Sequence, residues 1–255
     1  MSPSVRGTTR TTARHDSLAA TGTLAAAVTA VGFLAQPRPA VLVASAVLGL
    51  AVVGAVARST VRRRDEPYGC ADRITVVRSV LVAVSAALLP VGLVPLPGEG
   101  PGPPADTWCW ALFALALPAW LLDGLDGRVA RRTRTATRAG ARFDQEVDAG
   151  LILVLSVAVA ARLGLPEAWW VLLIGAMRYL YLLGGRVRPS WHRALPSSGY
   201  RRVVAGIQGG VLLGALVPLV PYSLATAATA VALLLLLHSF GRDVVRQERA
   251  ARRVS

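Results

Sequence analysis

Four aspartates within residues 121–150 have the residue type and the spacing of a metal site. Asp123 and Asp126 lie three apart at the end of one apolar run, and Asp144 and Asp148 lie four apart at the start of the next. Residues three or four apart share one face of a helix, so two helix ends could bring all four carboxylates to one point. Such a cluster beside a bilayer repels itself unless a cation compensates it. Mg²⁺ or Mn²⁺ fits best, because zinc prefers nitrogen and sulfur ligands.

This metal chemistry indicates a phosphate substrate. Mg²⁺ held by carboxylates keeps coordination positions for phosphate oxygens, so a diphosphate or a nucleotide is the simplest ligand. Two ions could neutralise a pyrophosphate and stabilise its leaving group, while one carboxylate accepts the proton of an incoming hydroxyl. Gly127, Ala130 and Gly140 are small enough to let a phosphate or a base approach the backbone, and Arg131 could bind a phosphate through two nitrogens.

Other interpretations of the aspartates stay open at this point. A single aspartate near the end of an apolar run is often a helix-start charge, and the helix dipole favours Asp144 and Asp148 where they lie. Carboxylates near a membrane are also typical of ion paths, so a cation transporter or channel is a second hypothesis. A catalytically silent membrane scaffold is a third. No acidic residue lies midway along another apolar run to continue an ion path, which favours a site at one membrane face.

The composition indicates an integral membrane protein. Of the 255 residues, 54% are hydrophobic and 16% charged. The net charge of +14 comes from arginine alone, and these arginines lie between apolar runs rather than on one soluble face, which argues against nucleic-acid binding. Neither cysteine has the neighbours of a zinc site. The abundance of Ala, Arg, Gly and Val without Lys is typical of a GC-rich bacterial genome.

Eight apolar runs predict an all-α polytopic membrane protein, since each is near the ~20 residues that cross a bilayer. They cover about residues 18–35, 40–57, 74–94, 108–122, 147–163, 168–184, 203–220 and 222–240. With the N-terminus inside, nearly all arginines fall in cytoplasmic segments, so the aspartates face the cytoplasm of a bacterial inner (plasma) membrane. The predicted organisation is a basic tail (1–17), an added transmembrane hairpin with linker (18–64), a six-helix transmembrane core (65–242) and a second basic tail (243–255).

The aspartate stretch resembles the signature of the CDP-alcohol phosphatidyltransferases, D-x2-D-G-x2-A-R-x8-G-x3-D-x3-D. Every fixed position matches, namely Asp123, Asp126, Gly127, Ala130, Arg131, Gly140, Asp144 and Asp148. The resemblance implies a helical membrane enzyme, commonly a homodimer, whose four aspartates hold two metal ions. It further implies that Asp148 deprotonates the acceptor hydroxyl, which attacks a CDP-activated donor and releases CMP. Gly127, Arg131 and Thr137 correspond to residues that hold the nucleotide in relatives.

A second stretch resembles another pattern of the same family. Relatives often carry N-x-(I/L)-T-x2-R before this span, and residues 72–78 read DRITVVR, so Thr75 and Arg78 match while Asp72 replaces the asparagine. The resemblance implies that Thr75 and Arg78 bind the donor, although the charge of Asp72 would repel a phosphate. Alternatively, Arg78 is an arginine at the membrane interface whose guanidinium extends to the polar surface, which fits the sequence equally well.

The acceptor is predicted from arginines nearer the C-terminus. Arg178 lies within an apolar run, where an unpaired charge is expensive, so it either faces a polar cavity or reaches the membrane surface. Arg202 and Gln208 loosely resemble a Lys and a downstream Gln of relatives. A phosphorylated acceptor, such as glycerol phosphate or inositol phosphate, would fit, whereas attraction to anionic lipids is the alternative. The predicted donor is CDP-diacylglycerol, and transfer from CDP-choline or CDP-ethanolamine to diacylglycerol is the alternative within the family.

Overall fold

The computed structural model describes residues 39–61, 70–93, 105–133, 138–188, 191 and 199–252, and every regular element in these ranges is helical. The predicted all-α class is therefore confirmed for this part of the chain. The long helices are α1 (Pro39–Val61), α2 (Cys70–Leu93), α3 (Ala105–Thr133), α4 (Arg138–Arg162), α5 (Leu172–Val187), α6 (Gly199–Leu216) and α7 (Tyr222–Arg252). The predicted tail 1–17 and first span 18–35 lie outside the described residues.

Four of the described helical segments are long and apolar enough to cross a membrane. They are Arg73–Leu93, Asp106–Gly124, Leu165–Val187 and Tyr222–Ala251. A chain with several such helices is a membrane-embedded protein, as its composition predicted. Between residues 70 and 252 the remaining long helices are α4 and α6, which both carry charged residues near their starts. The exact number of spans in the core and the N-terminal hairpin stay predictions.

The chain divides into two compact units, and the first, Met1–Val154, contains α1, α2, α3 and the start of α4. Within this unit α2 packs against both α1 and α3. The ring of Trp108 on α3 lies over Gly92 on α2, and its Nε1 donates a hydrogen bond to the Leu88 carbonyl at 2.9 Å. A Cβ atom at Gly92 would lie 2.2 Å from that ring. The close approach of α2 and α3 therefore requires glycine at this position.

The second unit, Leu155–Ser255, contains the end of α4, then α5, α6 and α7. Gly164 has φ +93°, a left-handed conformation that glycine adopts without strain, and it turns the chain from α4 into a helical turn at Leu165–Ala168. Arg162 at the end of α4 donates to the carbonyls of Ala215 and Val220, the second at 2.7 Å. Because the last carbonyls of a helix lack helical donors, Arg162 stabilises the end of α6.

Helix α7 is longer than the sequence predicted. The predicted last span ended at residue 240 and the predicted tail began at 243, whereas the helix continues to Arg252. Its extension anchors Trp191, whose Nε1 donates to Glu248 Oε1 at 3.1 Å and whose carbonyl accepts from Gln247 Nε2 at 2.8 Å. The Trp191 ring also stacks on Tyr181 of α5 at 5.7 Å between ring centroids. Residues 243–252 of the predicted basic tail are thus helical.

The packing of Trp108 on Gly92 predicts a stability effect. Gly92→Ala should lower the melting temperature in detergent, because the new methyl group overlaps the indole and overpacking costs about 1–3 kcal/mol. Gly214→Ala on α6 is the matched control, since its Cβ would meet nothing within 4 Å. Alanine should there stabilise the helix by about 0.5–1 kcal/mol. An equal shift in both variants would contradict the close packing of α2 on α3.

Candidate active site

Three of the four predicted carboxylates lie together in the first unit. Asp123 lies in the second half of α3, and Asp144 and Asp148 are one turn apart near the start of α4. One oxygen from each of the three lies within 4.8 Å of the others. The spacing of four between Asp144 and Asp148 places both on one face of α4, as the sequence predicted. Asp126 lies in α3, but its side chain is outside the described residues.

The side chain of Arg78 on α2 binds all three carboxylates. Its Nη1 donates to Asp144 Oδ1 and its Nη2 to Asp148 Oδ1, while Nη2 also lies 3.1 Å from Asp123 Oδ1. Its Nε donates to the Ala119 carbonyl of α3 at 3.0 Å. The guanidinium is fully buried, and its planar fork allows one side chain to bridge several carboxylates.

This position of Arg78 bears on the two interpretations drawn from the sequence. An interfacial arginine would extend its head to the membrane surface, whereas the Arg78 side chain has no exposed area. The guanidinium contacts carboxylates, a set of partners that the donor-binding interpretation did not include. The signal for its partners was present in the sequence, because an arginine within an apolar helix is expensive without an acidic partner. The sequence did not show which aspartates would be those partners.

The three carboxylates fit a hard divalent cation. Carboxylate oxygens are the ligands that Mg²⁺ and Mn²⁺ prefer, and no described histidine or cysteine joins the group. Among the described side chains, one guanidinium, that of Arg78, forms ion pairs with all three carboxylates, so acidic groups outnumber it. The Asp123 and Asp148 side chains keep 41% of their surface exposed and Asp144 keeps 31%. The cluster is therefore accessible to an ion and to a substrate.

Two further predicted residues of the first unit are described. Thr75 is buried on α2, one turn before Arg78, and Gly140 lies in the first turn of α4, one turn before Asp144. The remaining nucleotide-binding predictions fall in or just after the last turns of α3. The side chains of these four residues lie outside the described part of the structure: Gly127, Ala130, Arg131 and Thr137.

The predicted acceptor residues belong to the second unit. Arg178 is half-buried on α5, and Arg202 is exposed on α6. Gln208 is buried on α6 and donates to the Ala232 carbonyl of α7 at 2.9 Å, so it joins these two helices. A structural role therefore accounts for Gln208, while Arg202 is accessible to a ligand.

The comparisons with known proteins identify the family. A family model described as CDP-alcohol phosphatidyltransferase matches residues 68–239, which is more than half of the chain. Comparison with curated proteins and with solved structures found no match. The matched residues include Arg78 and the three carboxylates that it bridges. The chain therefore belongs to the CDP-alcohol phosphatidyltransferase family, the transferases of phospholipid biosynthesis that move a phosphate-linked group from a CDP-alcohol.

Proposed function

We propose that this protein transfers a phosphatidyl group from CDP-diacylglycerol to a small alcohol and releases CMP. The observation that carries the proposal is the cluster of Asp123, Asp144 and Asp148 at one point, within a segment that matches the family. Two Mg²⁺ or Mn²⁺ ions, when bound, would neutralise the pyrophosphate and stabilise the leaving CMP. The family assignment favours this enzyme over the cation transporter or channel that the aspartates alone also allowed.

Asp148 is the proposed general base. Its carboxylate takes the proton of the acceptor hydroxyl, whose oxygen forms a new bond to the lipid-linked phosphorus. The bond between that phosphorus and the bridging oxygen of the pyrophosphate breaks, and the electron pair leaves with CMP. The exposed 41% of the Asp148 side chain supports this role, because a base must reach the incoming hydroxyl. Asp123, Asp126 and Asp144 share the metal ligation with Asp148.

The other predicted residues are proposed to bind the two substrates. Gly127, Arg131 and Thr137 would hold the nucleotide, with Ala130 and Gly140 leaving space for it. Thr75 and Arg78 would contribute to the donor phosphate, since Arg78 already lies among the carboxylates. Arg178 and Arg202 would bind a phosphorylated acceptor such as glycerol phosphate or inositol phosphate. We further propose a homodimer in a bacterial inner membrane, in contact with its lipids, with the site facing the cytoplasm.

Substitution of the proposed base tests the mechanism. Asp148→Asn should leave the protein folded in detergent and lower CMP release by about 10² to 10⁴-fold, the usual contribution of a general base. Asp106→Asn is the matched control, because Asp106 is an exposed aspartate in the first turn of α3 and should keep wild-type activity. Full activity of Asp148→Asn would remove the proposed mechanism.

A panel of substrates tests the proposed reaction. Purified protein, stripped with EDTA, should form CMP only after Mg²⁺ or Mn²⁺ is returned, and only with CDP-diacylglycerol plus one of several small alcohols. The acceptors to compare are glycerol phosphate, inositol phosphate and serine. CMP formation from CDP-choline or CDP-ethanolamine with diacylglycerol would instead establish the alternative reaction. Ion flux across vesicles without CMP formation from any pair would contradict the proposed transferase reaction.

The acceptor proposal has its own test with the alcohol that the panel identifies. If that acceptor carries a phosphate, Arg202→Gln should raise its KM about tenfold, as expected for one lost charge-assisted hydrogen bond. The KM for the CDP-donor should not change. Arg249→Gln on α7, also an exposed arginine, is the matched control for general surface charge. An unchanged KM for the acceptor in Arg202→Gln would show that Arg202 serves only topology or lipid attraction.

A further inference from the structure

Arg78 bonds to the same three carboxylates that form the candidate metal cluster. Its two terminal nitrogens contact Oδ1 of Asp123, Asp144 and Asp148, the three residues that form the candidate metal cluster. A guanidinium and a metal ion both need the lone pairs of carboxylate oxygens, and both are positively charged. An ion that enters the cluster therefore competes with Arg78 for the same three carboxylates. The Nε bond to the Ala119 carbonyl involves no carboxylate and does not compete.

The charge of the cluster explains why an arginine is placed there. Three carboxylates within 4.8 Å would repel each other and separate if nothing positive lay between them. Arg78 neutralises one of the three charges. Its guanidinium, which belongs to α2, also fixes the carboxylate of α3 relative to the two carboxylates of α4. The three described carboxylates carry more negative charge than Arg78 can neutralise, so the cluster still attracts an ion.

We propose that Arg78 is a positioning residue that acts as an internal counter-ion of the metal-free site. It assembles the three carboxylates before the metal binds, and it gives up their oxygens to the metal. The inference rests on the proposed function, because it requires that the cluster binds a divalent cation. This role precedes the proposed contribution of Arg78 to the donor phosphate, which begins only once the CDP-donor is present.

Binding of Mn²⁺ alone separates these roles. With full-length protein in detergent and no nucleotide, the Kd for Mn²⁺ is measured by the electron paramagnetic resonance signal of the free ion. Arg78→Gln should bind Mn²⁺ at least about fivefold more tightly than the wild type, because the competing charge is gone. In EDTA the same variant should melt at a lower temperature than the wild type. Mn²⁺ should raise the melting temperature of the variant by more than it raises that of the wild type.

The control is Arg142→Gln, which removes an exposed arginine on α4 two residues before Asp144. Its Mn²⁺ affinity should stay close to the wild-type value, because screening by water weakens the effect of an exposed charge. If Arg78→Gln does not fold, Arg78→Lys serves the same purpose. Lysine keeps the charge but lacks the planar guanidinium that bridges several carboxylates. The Arg78→Lys variant should therefore also bind Mn²⁺ more tightly than the wild type.

Each outcome of this titration is decisive. Unchanged or weaker Mn²⁺ binding in the Arg78 variants, with normal binding in the wild type, overturns the counter-ion role and leaves the proposed function intact. If Arg78→Gln instead weakens only the binding of the CDP-donor, Arg78 is a donor-binding residue. If Mn²⁺ binds neither the wild type nor the variants, the metal site fails, and the proposed function fails with it.

Discussion

The structure depends first on the neutralisation of a group of carboxylates at the junction of two helices. Asp123 lies on α3 and Asp144 and Asp148 lie one turn apart near the start of α4, and one oxygen from each lies within 4.8 Å of the others. Three like charges at this separation need a positive partner, and the buried guanidinium of Arg78 provides it from α2. The charge requirement therefore links α2, α3 and α4 in a way that apolar packing alone would not specify.

Helix packing in turn determines whether Arg78 can reach the carboxylates. The indole of Trp108 lies on Gly92, and its hydrogen bond to the Leu88 carbonyl joins α2 to α3 near the helix ends opposite Arg78. Further along both helices, Arg78 of α2 donates to the Ala119 carbonyl in the middle of α3. Two polar contacts from long side chains thus hold α2 beside α3 at two separate positions, where van der Waals contact between apolar side chains offers little directional preference.

Sequence reasoning predicted helices over the described ranges, because they follow from short-range periodicity. It also predicted that Asp123, Asp126, Asp144 and Asp148 converge, which the structure shows for the three whose side chains are described. It could not assign the partners of Arg78, because they lie 41 to 70 residues away along the chain and depend on how α2 packs. The length of α7 was missed for a different reason. The arginines after residue 240 end the apolar run, yet Ala, Arg, Gln and Glu are good helix formers, so the helix continues to Arg252.

The extension of α7 has a practical consequence for protein production. With 31 residues the helix is about 46 Å long, so it exceeds a ~30 Å hydrocarbon core by several turns. Gln247 and Glu248, in that extension, hold Trp191 in place beside Tyr181 and Gly184. Expression vectors that truncate the chain after the apolar run would delete this anchor, whereas an affinity tag attached after Ser255 leaves it intact.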